Sequence, residues 1–110
     1  MRKPESKSNF RIEVKAHGLE SENVNYYAFM MPAGKRNEYA VYILPKDIIY
    51  EHYLKLLKLN KDENSRRNFN GNIIDDEMCF LSNVNGRVGI CIPNDFLKKH
   101  MIDKFHLKEM

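Results

Sequence analysis

The stretch Phe10-Arg11-Ile12-Glu13-Val14-Lys15-Ala16 alternates without a break: Phe10, Ile12, Val14 and Ala16 on one side, Arg11, Glu13 and Lys15 on the other. A period of two is that of a strand with one buried face, which predicts a strand over 10–16 with its charged row turned outward. That row sets Glu13 and Lys15 side by side, with Arg11 beside them. A carboxylate and an ammonium two residues apart on a rigid strand can hold a divalent cation and orient a water. Nowhere else does the sequence alone assemble such chemistry.

Outward from this strand, 1–9 is polar and contains Pro4, which predicts a flexible arm ahead of a single domain over 10–110. His17-Gly18 opens a polar turn. Val24 to Met31 is aromatic-rich and predicts a second strand stopped by Pro32. The segment 33–37, with Gly34, suits a hairpin loop. Glu38 to Leu44 is apolar on both faces and predicts a third strand, central in the sheet. These three strands are expected to form an antiparallel meander. Pro45 ends the third, and Lys46-Asp47 opens a helix with Ile49, Tyr53, Leu56 and Leu57 on its packed stripe.

A polar loop follows to Asn68, and Asn70-Gly71 marks a turn. Ile73 to Leu81 starts acidic and ends as a strand. Asn85-Gly86 is the strongest hairpin signal, with Arg87 to Ile92 as partner strand. Pro93 stops that strand, and Asn94 can cap a last helix carrying Leu97, Met101 and Phe105 on one side. The expected fold is α+β: a mainly antiparallel sheet of about five strands with two helices, in the order βββα-ββα. One echo runs through the chain. Tyr42-Ile43-Leu44-Pro45-Lys46-Asp47-Ile48-Ile49 resembles Ile90-Cys91-Ile92-Pro93-Asn94-Asp95-Phe96-Leu97, and His52 and His100 follow at equivalent places. Two similar strand-to-helix junctions explain most of the match; a duplicated unit is the alternative.

At 110 residues the chain is long enough for one core and too short for two. With 43% hydrophobic and 30% charged residues it has an ordinary globular composition, not that of a disordered chain. The net charge of +3 permits nucleic-acid binding without demanding it. The doublets Lys35-Arg36, Arg66-Arg67 and Lys98-Lys99 are solvated faces or phosphate contacts. No apolar leader or membrane-length run is present, so the expected location is intracellular, in the cytoplasm. Cys79 and Cys91 lie in apolar runs and are expected as buried free thiols, a disulfide needing an oxidising compartment. His17, His52, His100 and His106 show no zinc-ligand spacing with the cysteines. Neither a Ser or Cys nucleophile signature nor a phosphate-binding glycine loop occurs.

Phe-Arg-Ile-Glu-Val-Lys-Ala, followed by Tyr-Tyr-Ala-Phe and Tyr-Ala-Val-Tyr-Ile-Leu-Pro-Lys-Asp, resembles the PD-(D/E)XK restriction-endonuclease-like nucleases over roughly the first half of the chain. The resemblance implies a metal-binding role for Glu13, a water-orienting role for Lys15, and Mg²⁺ or Mn²⁺ as cofactor. The family's further aspartate, on the preceding strand, has no counterpart: Glu5 is the sole acid before the strand. Asp75 and Asp76, or a second subunit, would have to complete the metal site. The Asp75-Asp76-Glu77 cluster reads first as a polar strand entry after a turn, with a metal site as the alternative.

Two functions from different classes follow. One is a nuclease-like protein, active or degenerate, that contacts DNA or RNA through Arg11, Lys35, Arg36, Arg66 and Arg67, with Tyr26, Tyr27, Phe29, Tyr39 and Tyr42 as possible stacking groups. The other is a small non-catalytic interaction protein, such as a phage or mobile-element inhibitor or an accessory subunit, gripping a protein partner. A homodimer is compatible with both, and enzymatic activity is left open.

Overall fold

In the computed structural model, residues 9–15 and 18–109 are described. They form an α+β fold of two helices and six strands: β1 (Asn9–Glu13), β2 (Tyr26–Pro32), β3 (Glu38–Pro45), α1 (Lys46–Leu59), β4 (Phe80–Val84), β5 (Arg87–Pro93), α2 (Asn94–His100) and β6 (Asp103–Lys108). The strands make two antiparallel three-stranded sheets, ordered β1-β5-β4 and β2-β3-β6. This corrects the expectation of about five strands in a single sheet.

Each sheet is a hairpin completed by a strand from elsewhere in the chain. At the β4–β5 turn, Asn85 and Gly86 take positive φ of 54° and 82°, as a two-residue hairpin matched to strand twist requires. The β2–β3 hairpin is longer, with Gly34 and Asn37 at positive φ. The third strands are exchanged. β1 pairs with β5, Ile12 opposite Ile90, while β6 pairs with β3, Phe105 opposite Val41. The expected meander of the first three strands is therefore wrong: β1 and β2 belong to different sheets and meet through side chains, as in the edge-to-face contact of Phe10 and Phe29 at 5.3 Å.

Both central strands end at a proline, Pro45 and Pro93, from which α1 and α2 start with Asp47 and Asp95 in their first turns. Neither helix start has a side-chain cap, so Asn94 opens α2 and does not cap it. α1 packs on β3 and β4, and α2 on β3 and β5, so each helix touches both sheets. Ile12, Val14, Leu19, Phe29, Leu44, Ile49, Leu56, Ile90, Ile92, Phe96 and Leu97 fill the core between them. Burying each large side chain contributes about 1.5–3 kcal/mol. On α1 the buried stripe is Ile49, His52 and Leu56, whereas Leu57 is exposed. Cys79 and Cys91 are buried free thiols.

Two elements end earlier than the sequence predicts. The strand begun at Asn9 stops at Glu13 because the chain folds back on itself: the Leu19 N–H donates to the Glu13 carbonyl (3.0 Å) and the Glu20 N–H to that of Val14 (2.9 Å). Lys15 then lies exposed in a bend, off the strand, and Ala16 falls outside the described residues. The last helix stops at His100, where Met101 turns extended (ψ 139°) and the Ile102 N–H donates to the Ile43 carbonyl at 2.8 Å. That bond draws 103–108 onto the edge of β3, and Phe105 sits on a strand, not on the expected helix. No helix among the described residues is long and apolar enough to cross a membrane.

The fold-back leaves no room at Gly18, where an added Cβ would stand 1.6 Å from the Glu13 carbonyl oxygen. Gly18→Ala should therefore destabilise the protein by about 1–3 kcal/mol or more, read as a lower urea midpoint. An unchanged midpoint would mean that the chain does not fold back on Glu13.

Candidate functional sites

The echoed histidines meet. His52 lies on the buried face of α1 and His100 at the end of α2, and the rings stand 5.9 Å apart with Phe96 packed against both. Between them reaches Glu77, from the tight segment that leads into β4. His52 Nε2 is 3.1 Å from Glu77 Oε2, and His100 Nε2 is 2.7 Å from the same oxygen. Lys99 Nζ lies 2.6 Å from Oε1.

Asp75 builds this arrangement. Its buried carboxylate accepts the backbone N–H groups of Glu77 (2.9 Å) and Cys79 (3.0 Å) on Oδ1, while Oδ2 lies 2.6 Å from His52 Nδ1. The Asp75 carbonyl accepts the Met78 N–H at 3.1 Å, and Met78 takes a φ of 69° to close the turn. One side chain thus shapes the loop that presents Glu77 and holds the ring of His52. Burial works against the charge on Glu77, but the hydrogen bonds from Lys99 and His100 outweigh it and hold its carboxyl below the ordinary carboxylate range. Burial, reinforced by the negative charges of Asp75 and Glu77, pushes the Cys79 thiol far up.

The three neighbouring acids thus have separate environments. Asp75 is buried, Glu77 lies between the histidines, and Asp76 is exposed and paired with Lys55 at 3.2 Å. Among the described residues two groups of potential ligand atoms lie within 4.8 Å of one another: His52, Glu77 and His100, and His52, Asp75 and Cys79. Asp75 belongs to one of them; Glu13 and Asp76 belong to neither.

Glu13 keeps company with cations. Arg11 Nη1 donates to Glu13 Oε1 at 2.8 Å and Arg87 Nε lies 3.6 Å away. The Arg11 hydrogen bond, aided by both positive charges, holds the Glu13 carboxyl below its ordinary range. Arg11 also donates to Ser82 Oγ and to the Arg87 carbonyl, both at 2.7 Å. Its guanidinium lies over Gly89, where a Cβ would stand 2.6 Å from Cζ. Glu13 and Lys15 line a recess with Tyr53 and Arg87. The other basic residues lie on separate segments: Lys35 and Arg36 exposed at the β2–β3 hairpin, Arg66 donating to the Asp75 carbonyl (3.2 Å), and Arg67 to that of Gly71 (2.7 Å).

A second feature is the outer face of sheet β2-β3-β6. Register places Tyr26, Ala28 and Met30 beside Tyr39, Val41 and Ile43, and these beside Phe105 and Leu107. Four large apolar side chains there stay roughly half in solvent: Tyr26 60%, Met30 53%, Phe105 49% and Leu107 45% exposed. Phe29 and Tyr42 point the other way, into the core. Of the sequence's candidate stacking groups, only Tyr26 and Tyr39 share the open face.

Sequence reasoning missed Glu77, His52 and His100 as a group, because spacing along the chain says nothing about residues from three segments. The signal that could have found them was the echo, which sets His52 and His100 at equivalent places. No protein-family model matches this chain, and neither does any curated protein or solved structure.

The lowered pKa of Glu77 has a signed consequence. A carboxyl that titrates below its ordinary 4.5 only in the folded state stabilises the fold fully above that pH. Its contribution is lost as pH falls through the lower folded value. Glu77→Gln should therefore flatten the loss of stability below pH 4.5, measured by denaturant unfolding across the acid range. A residual slope should remain, since Glu13 and Asp76 are shifted the same way.

Proposed function

We propose that this chain is a non-catalytic interaction protein that works as a homodimer, packing the outer face of sheet β2-β3-β6 onto the same face of a second copy. The observation that carries the proposal is the half-exposed apolar row Tyr26, Met30, Phe105 and Leu107 on a continuous sheet face. Exposed apolar patches of this kind are uncommon on monomers and mark contact surfaces. A second copy suits the face better than a charged partner, because Asp103, at one end of β6, is its sole charged residue. A sheet face with so little charge is its own complement across a two-fold axis. Nucleic acid suits it less: Lys104, His106 and Lys108 of β6 alternate onto the opposite side.

A nuclease-like protein acting on DNA or RNA through Glu13 and Lys15 with Mg²⁺ or Mn²⁺ is the second reading. The recess that those residues line with Tyr53 and Arg87 favours it, while the two guanidiniums on Glu13 already neutralise its one carboxylate. Mg²⁺ or Mn²⁺ binding that vanishes in Glu13→Ala would promote this reading over the first.

Sedimentation equilibrium tests the dimer. The unmodified chain should sediment as a dimer, and Phe105→Glu or Met30→Glu, both at exposed positions, should give folded monomers. A monomer at every concentration overturns the proposal. So does salt-sensitive retention of single-stranded oligonucleotides that is lost in Tyr26→Ala, since that would assign the face to stacked bases.

A further inference from the structure

We infer that His52 Nε2, His100 Nε2 and a Glu77 carboxylate oxygen form a mononuclear binding site for a divalent cation of the zinc class. Both imidazoles aim Nε2 at one carboxylate oxygen, at 3.1 and 2.7 Å. Donor atoms on a tetrahedral metal with bonds of 2.0–2.1 Å stand about 3.3 Å from one another. A cation would lengthen these two nitrogen–oxygen distances by about 0.2 and 0.6 Å, and all three donor atoms already lie within 4.8 Å of one another.

His52 carries the detail that distinguishes a ligand from an ordinary core histidine. His52 Nδ1 lies 2.6 Å from Asp75 Oδ2, a carboxylate oxygen that accepts from it, so in the neutral ring the lone pair of Nε2 faces Glu77 and His100. A metal-bound imidazole characteristically donates its other nitrogen to a carboxylate, which fixes the tautomer and raises its basicity. Asp75 is in turn fixed by two backbone N–H groups, so the orienting carboxylate is itself held.

Two nitrogens and one oxygen favour zinc, cobalt, nickel or copper over Mg²⁺ and Ca²⁺, which take oxygen ligands. The neighbouring group of His52, Asp75 and Cys79 is the weaker site. Cys79 is fully buried, and both Asp75 oxygens already have partners. His100 is partly exposed, and Lys99, largely exposed, pairs with Glu77 Oε1 at 2.6 Å, which leaves Oε2 as the oxygen that faces both imidazoles.

The test is titration of Zn²⁺ and of Co²⁺ into the purified chain, followed by calorimetry, by melting temperature and by the visible bands of tetrahedral Co²⁺. Expected are one equivalent bound, a raised melting temperature and tetrahedral Co²⁺ bands. His100→Gln, at a partly exposed helix end, should keep the fold and weaken binding by at least about tenfold. Glu77→Gln should act likewise, and Lys98→Ala, on the exposed side of α2, should leave binding unchanged. Absence of binding by the unmodified chain, or equal affinity in folded His100→Gln, overturns the site and leaves an ordinary hydrogen-bonded histidine pair. Mg²⁺ binding in preference to Zn²⁺ also overturns it.

Discussion

β3 and β5 are the strands on which everything else is hung, and neither hairpin completes its own sheet. β2 and β4 cover one side of each, and the other side is filled by a strand from the opposite half of the chain: β6 on β3, β1 on β5. A central strand left with one unpaired edge would keep a row of backbone donors and acceptors unsatisfied within the fold. The exchange removes that cost in both sheets and locks them together. It also sets where the helices go. Each leaves a central strand at a proline and packs across both sheets, so α1 and α2 converge on the space in which His52 and His100 meet.

Asp75 plays for the site the part that the exchanged strands play for the fold. A buried carboxylate is tolerable only when its oxygens are satisfied, and here two backbone N–H groups and an imidazole do so. The same bonds turn the chain sharply, so that Glu77 projects where Asp76 does not. Three adjacent acids therefore act as an anchor, a surface ion pair and a central carboxylate.

What was legible in the sequence was local. The Asn85-Gly86 turn, the two proline stops and the central position of β3 each rest on residues within a few positions of one another. What was not legible depends on distant pairing. The run Phe10 to Ala16 alternates as a strand should, yet it is cut at Glu13 by a fold-back that Gly18 alone makes possible. At the other end, Phe105 extends a helical stripe from Leu97 and Met101, but Lys104, His106 and Lys108 also alternate with Phe105 and Leu107. Both periods are present over 103–108, and the open edge of β3 decides between them. The site was harder still: Glu13 and Lys15 make a local pair, whereas His52, Glu77 and His100 come from two helices and a loop.

The strand exchange also bears on how the molecule forms during synthesis. A hairpin such as β2–β3 can close as soon as it leaves the ribosome, because its partners are near neighbours. Sheet β1-β5-β4 cannot, for β1 has to wait until β5 has emerged, and β3 keeps a bare edge until β6 follows. Closing such distant pairs late is slow and leaves apolar edges exposed meanwhile. The nascent chain is thus vulnerable to sticking until β6 pairs with β3, and β6 acts as the clasp that ends that interval.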